Sequence, residues 1–159
     1  MNLTIIIAGV SDVVERAFQE TGSLGNGATI QDMEVAVWKA VRQIGQLMIQ
    51  GQADEAGNGY VGSRMPCECG AMMRFIGDRS RTVATWCGQM TLKRAYYRCD
   101  RCGASAFPLD KQLCMPEGRF SESIIKAISY CSAQLPFECA SETMERLTGI
   151  SVSPKEAQI

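Results

Sequence analysis

The chain has 159 residues, room for one domain or two small modules, and a net charge of −1 from 16 basic and 17 acidic side chains. Eight cysteines and no histidine stand in it. The missing imidazole excludes Ser-His-Asp and Cys-His nucleophile systems, zinc fingers of the two-cysteine, two-histidine kind and histidine-ligated catalytic metals.

The first residues do not read as a targeting signal. Leu3–Val10 is apolar, yet no Lys or Arg precedes it, and Asp12 and Glu15 follow at once. No run of about 18 apolar residues offers a membrane span. A cytoplasmic setting is therefore expected, where thiols stay reduced and closely spaced cysteines point to metal before disulfide.

Leu3–Val10 reads as a short strand or buried run, and Ser11–Glu20 as a helix capped by Ser11. A glycine-rich link follows at residues 21–27. Thr29-Ile30-Gln31-Asp32 approximates a capping box and opens a helix over 29–50, which Gly51 and the polar stretch after it should end. Its apolar residues Ile30, Met33, Val37, Val41, Ile44 and Met48 step by three and four, and Trp38 and Leu47 widen the stripe. Such a stripe either docks on the chain's own core or forms a homodimer seam. With only three turns of near-heptad spacing, docking on the core is the expectation.

Charge is distributed unevenly. Residues 1–63 carry −4, residues 64–101 carry +5 and residues 102–159 carry −2. The basic stretch is also the one that holds the closely spaced cysteines. Cys67-Glu68-Cys69-Gly70 and Cys99-Asp100-Arg101-Cys102-Gly103 bracket a run of β-formers. That run reads as a three-stranded meander at about Met72–Ile76, Arg81–Cys87 and Met90–Arg98, with turns at Gly77-Asp78 and Gly88-Gln89.

Two cysteine pairs, each followed by glycine, fit paired zinc knuckles. The glycines permit turns tight enough to aim amide N–H groups at thiolate sulfur. A β unit of some 40 residues buries little apolar surface, and structural Zn2+ can supply about 10–16 kcal/mol. The first knuckle is C-x-C, one residue shorter than the usual C-x-x-C. Reduced buried thiols, a disulfide, or a rubredoxin-like iron site are the other readings of the same four residues. Cys87, Cys114, Cys131 and Cys139 read as ordinary core cysteines.

Four thiolates with one Zn2+ add −2, so the +5 segment keeps +3 when loaded. Its cations are seven Arg to one Lys, which suits phosphate clamping. Arg74, Arg79, Arg81, Lys93, Arg94, Arg98 and Arg101 are the candidate DNA contacts, against the alternative of a solvated strand face. Trp86, Tyr96 and Tyr97 could stack on bases or fill the meander's core.

After Pro116-Glu117-Gly118, Ser121 caps a helix with Phe120 and Ile125 as a hydrophobic staple. Ile124, Ile125, Ile128, Cys131 and Leu135 form its inner face. Pro136 breaks it, a second helix covers about Phe137–Leu147, and Gly149 supplies a left-handed stop. Ser153-Pro154-Lys155-Glu156 announces a third helix, so the chain reads as cut short. A helix-turn-helix and an ordinary αα-hairpin fit this region equally.

The fold expected is α+β: a helical N-terminal part (1–60), a central zinc-ribbon-like meander (61–115) and a C-terminal helical part (116–159). The strings Tyr60-Val61-Gly62, Cys67-Glu68-Cys69-Gly70, Met73-Arg74-Phe75-Ile76-Gly77, Leu92-Lys93-Arg94-Ala95-Tyr96-Tyr97-Arg98-Cys99, Cys102-Gly103 and Phe107-Pro108-Leu109-Asp110 resemble the N-terminal part of insertion-sequence transposases of the ISKra family. Leu135-Pro136-Phe137-Glu138 and Leu147–Ser153 extend the resemblance, which covers roughly Asp32 to Lys155.

The resemblance implies a metal ribbon and a helical part that together recognise double-stranded DNA at an element's terminal inverted repeats. It implies Cys67, Cys69, Cys99 and Cys102 as metal ligands and Arg74, Arg81, Arg94 and Arg98 as backbone contacts. In that family an RNase-H-like domain follows, with an Asp-Asp-Glu triad holding two Mg2+ ions. None of its carboxylates maps onto this sequence, so no catalytic residue is expected here. Such a piece would be a remnant, the front half of a frameshifted product, or a regulator occupying the repeats. A zinc-stapled interaction module is the rival from another class, and a four-cysteine redox protein the third. Redox C-x-x-C motifs usually open helices, whereas this one follows a strand.

Overall fold

The computed structural model describes residues 3–23, 27 and 29–158. In chain order these form α1 (Leu3–Ser23), α2 (Ile30–Glu55), β1 (Arg64–Pro66), β2 (Met72–Thr85), β3 (Gly88–Cys99), β4 (Ser105–Ala106), α3 (Pro108–Gln112), α4 (Glu122–Ser132) and α5 (Phe137–Thr148). The α+β class is as expected, with helices at both ends of a four-stranded antiparallel sheet.

Leu3–Val10 is helical, not a strand, and Ser11 lies inside α1 instead of capping it. The β-branched run costs helix propensity of only a few tenths of a kcal/mol per residue. Packing on α2 overrides that cost: Val13 is buried, and a Cβ at Gly9 would come within 3.2 Å of the Leu47 side chain. The central residues of the expected link, 24–26, lie outside the described residues.

α2 begins as its sequence announces. Thr29 Oγ1 accepts from the Asp32 amide at 3.2 Å, and the Asp32 carboxylate accepts from the Thr29 amide at 2.9 Å. The Thr29 hydroxyl, then its amide, hold the Asp32 carboxyl below its ordinary pKa. The helix does not stop at Gly51, which is buried within it, but runs to Glu55 before Gly57 turns left-handed at φ 72°. A glycine in a helix interior costs about 1 kcal/mol, too little to end a packed helix.

The stripe from Ile30 to Met48 is not docked on the chain's own core. Ile30, Met33, Val37, Val41 and Met48 are exposed, while the small residues Ala36 and Gly51 are the buried ones. Small side chains let α2 approach its neighbours closely. A Cβ at Gly45 would lie 2.6 Å from Cys87 Sγ at the tip of the β2–β3 hairpin.

β2 is one strand of 14 residues where two were expected. Gly77 makes a bulge, not a turn: pairing passes from Phe75↔Tyr97 to Gly77↔Tyr96, with Gly77 at φ 146°. The hairpin loop is Trp86-Cys87, two residues before the expected position, and Thr85 pairs with Gly88 across it. Along β3 the inward face changes side. Met90 and Leu92 join Val83, Leu109 and the α2 residues Ile49 and Ala53 in one cluster; Ala95, Tyr97 and Cys99 join Met73 in another. Alternation puts these two sets on opposite faces of the strand.

α2 also covers the open edge of β3. The Gln50 side-chain amide donates to the Thr91 carbonyl at 3.0 Å while its oxygen accepts from the Thr91 amide at 2.8 Å. Gln46 donates to the Gln89 carbonyl at 2.7 Å. These amides satisfy an edge that would otherwise pair with another strand.

The C-terminal helices share a third cluster, with Phe120, Ile124, Ile128, Met144, Ile150, Val152 and Ala157 buried in it. Backbone bonds from Ala84 to Arg119 (2.7 Å) and from Ser121 to Ala84 (2.9 Å) tie it to β2. Ser121 occupies the N-cap position of α4 without a side-chain cap bond, and Leu135 is exposed, outside the expected face. Gly149 is left-handed at φ 66°, as expected. Ser153 and Glu156 bond reciprocally, and the segment makes a single turn through Ala157.

Candidate metal centre and arginine face

Both knuckles are built from tight backbone bonds. Gly70 donates to the Cys67 carbonyl at 2.9 Å and Gly103 to the Cys99 carbonyl at 3.0 Å, with left-handed φ values of 81° and 74° at the two glycines. An L side chain is disfavoured there, which is why each pair is followed by glycine. The pairings Pro66↔Met72 and Met73↔Cys99 bring both knuckles to the same end of the sheet.

The four sulfur atoms of Cys67, Cys69, Cys99 and Cys102 lie within 4.8 Å of one another. Cys67 and Cys102 are 3.6 Å apart and Cys69 and Cys99 3.7 Å. A tetrahedral site with metal–sulfur bonds of about 2.3 Å has sulfur–sulfur edges of about 3.8 Å. A disulfide needs about 2.05 Å. The set therefore fits an ion such as zinc, and Cys69 of the short first knuckle stands in it as fully as the others.

The thiols are electrostatically unlike. The Cys102 backbone amide, aided by the Arg101 amide and the Cys102 and Cys67 thiols, holds Cys99 down to about 6 against the effect of burial. At Cys67 the Cys69 amide pulls downward, but burial and the Cys69, Cys102 and Cys99 thiols outweigh it and push the group up to about 12. Cys69 is also raised: the Ala71 amide and the Cys67 thiol oppose the rise, while burial and the Cys102 and Cys99 thiols win. Cys99 ionises readily while Cys67 and Cys69 resist; a divalent cation among them would remove that resistance.

Beneath the cluster, aromatic packing holds the ribbon. Phe75 meets Tyr60 edge-on at 5.0 Å and Tyr97 at 5.6 Å, and the Tyr97 hydroxyl donates to the Gly62 carbonyl at 2.8 Å. Tyr97 is thus core, while Trp86 is exposed at the hairpin tip. Of the other cysteines, Cys131 packs against the C-terminal cluster and Cys87 lies half-buried against α2. Cys114 and Cys139 are exposed, not core residues as expected: one sits at φ 48° after α3, the other on the outer side of α5.

The basic residues divide into two groups. Arg81 and Arg94 do not face solvent. Both bind Asp110 of α3, at 3.1 and 2.5 Å, with side chains only 15% and 10% exposed. Arg81 also donates to the Pro116 and Gly118 carbonyls, and Arg94 lies 4.1 Å over the Phe107 ring. They are internal struts, and the Asp110 of the Pro-Leu-Asp string is their anchor. Sequence alone gives no sign of this, because the three residues meet only through the fold.

The exposed group is arranged in a row. Arg64 pairs with Arg74, Arg74 with Arg98, and Arg98 with Ser105, on four consecutive strands. Directly paired residues project from the same face, so three exposed guanidiniums stand side by side at the end of the sheet that carries the four-cysteine cluster. Arg74 is held by Asp100 at 2.9 Å. Arg79 lies 5.7 Å over the Tyr96 ring, which in turn meets Phe107 at 5.2 Å. Lys93 pairs with Asp78 at 3.1 Å, and Arg101 reaches the Cys69 carbonyl at 3.5 Å. Arg64 is not among the candidates that sequence supplies; only strand register reveals it.

No protein-family model matches this sequence, and no curated protein matches it. Among the described residues no helix is long and apolar enough to cross a membrane.

Proposed function

We propose that the chain is a zinc-stapled DNA-binding module, the end-recognition part of an insertion-sequence transposase. The observation that carries the reading is the row Arg64–Arg74–Arg98 beside the four-cysteine cluster. Strands about 4.8 Å apart make a row roughly 10 Å long, comparable with three phosphates of one strand. Cys67, Cys69, Cys99 and Cys102 would hold Zn2+, which would join the two knuckles at one end of the sheet and support the register that aligns the guanidiniums. Arg79 and Arg101 extend the face, whereas Arg81 and Arg94 support it from inside. Terminal inverted repeats are the DNA target that the family resemblance favours, and we assign no catalytic residue to this chain.

Duplex binding followed by fluorescence anisotropy across a salt series tests the reading. Each phosphate neutralised contributes about −0.9 to the slope of log affinity against log salt. The variant Arg64→Ala/Arg74→Ala/Arg98→Ala should flatten that slope by about 0.9 per arginine and weaken binding to all duplexes alike. Binding that is indifferent to salt, or a triple variant that binds as the parent does, refutes it. Metal content of the purified protein should be about one zinc per chain.

A further inference from the structure

The helical hairpin carries an apolar face that the described residues leave largely open; only at its Val41 edge does it share a groove with Trp86, Cys87 and Leu147. Gly9 meets Leu47, Val13 lies beside Gln43, and α1 and α2 therefore run antiparallel. The buried line of α1 passes through Gly9 and Val13, and that of α2 through Ala36 and Leu47. At about 100° per residue, Leu3, Ile7 and Val14 lie roughly 120° round α1 from its buried line. Ile30, Met33, Val37, Val41 and Met48 lie roughly 100° round α2 from its own, in the same rotational sense. Because the helices are antiparallel, the same sense about each axis brings both stripes to one side of the hairpin. These eight residues are 38–76% exposed.

We infer that this face is a homodimer interface, on which a second copy of the chain lays its own hairpin to close a four-helix bundle. The exposed apolar area of the eight side chains is roughly 800 Å², the share one partner contributes to a stable interface and more than a monomer's surface ordinarily leaves in one patch. Two-fold pairing is self-complementary here, since each hairpin offers two apolar stripes, with Glu34 at the rim of the α2 stripe beside Ile30, Met33 and Val37. Charge also decides against an anionic membrane as the occupant: residues 1–63 carry −4. The inference does not depend on the DNA-binding reading, whose arginines lie on the sheet.

Sedimentation equilibrium of the full chain, from sub-micromolar to tens of micromolar, should give twice the 17.4 kDa chain mass. The variant Val37→Glu/Val41→Glu should shift the dimer dissociation constant at least 100-fold. Both positions are exposed in the single chain, so its zinc content and far-ultraviolet circular dichroism should be unchanged. A single-chain mass for the parent protein throughout the range overturns the inference. So does a parent mass that the double variant leaves dimeric, or co-flotation of the parent with anionic phospholipid vesicles that the double variant loses. Salt-dependent duplex binding has a separate readout and can fail or hold without affecting this result.

Discussion

Asp110 accepts from two guanidiniums with a single oxygen, Oδ2, while its Oδ1 and the Arg94 Nε are buried without a partner. Two cations on one anion leave the site net positive in a place with little solvent. The loss of Asp110 should therefore be costly. Arg81 would keep the Pro116 and Gly118 carbonyls, but Arg94 would retain only the Phe107 face. Asp110→Ala is expected to lower unfolding free energy by about 3–5 kcal/mol in urea titration, as when one partner of a buried pair is removed. Adding Arg94→Met should recover part of that loss by removing the stranded charge. A cost below about 1 kcal/mol for Asp110→Ala would show that water already solvates the trio. The same residues explain a limit on reading sequence. Arg81 and Arg94 look like Arg74 and Arg98 in the chain, and only long-range contact with α3 separates struts from exposed contacts.

Elements whose signals are local were legible. Thr29 with Asp32, Gly149, and the glycines after each cysteine pair do in the fold what their spacing announces, because caps and knuckles close within four residues. Elements decided by distant contacts were not. The β-branched start of α1 was outweighed by its packing on α2, and Gly51 by burial. At Gly77 a bulge consumed one residue and let a single strand continue where a turn was expected. The stripe of α2 was visible, but nothing in its period told which of three neighbouring faces would be filled. The Ser153–Glu156 turn is a local signal reinforced from afar. Arg119 binds Glu156 at 2.6 Å and, with help from the Ser153 amide and hydroxyl, holds its carboxyl down to about 2 against burial. A depressed acid stabilises the fold above its ordinary value of 4.5, and that contribution is lost as pH falls from there towards 2. The thermal midpoint of the parent should exceed that of Glu156→Gln at neutral pH, and the gap should close across this acid window. A gap constant from neutral pH to pH 2 would show that the carboxylate does not act through its charge.

Among the described residues, burial is distributed over three small clusters, not concentrated in one core. The cluster around Met73, Ala95, Tyr97 and Cys99 is unlike the other two: the four sulfurs that could hold an ion close one side of it. The cluster around Leu92 and Leu109 leans on α2, and the C-terminal one is built by two helices and the turn beyond them. Chelation should therefore act regionally. Without an ion, Cys99 ionises first while Cys67 and Cys69 keep their protons, so only weak thiol contacts at 3.6 and 3.7 Å join the two knuckles. Strands β1 and β4, of three and two residues, have too few ladder bonds to hold that end alone. Hydrogen exchange after treatment with a strong zinc chelator should rise across residues 64–75 and 97–106, while amides of α2 and α4 stay protected. The arginine row would lose its alignment at the same time, so duplex affinity should fall with ribbon protection and return when Zn2+ is restored. If exchange instead rises evenly along the chain, the ion supports the whole fold; if it does not rise at all, the sulfur cluster is a packed core that needs no metal.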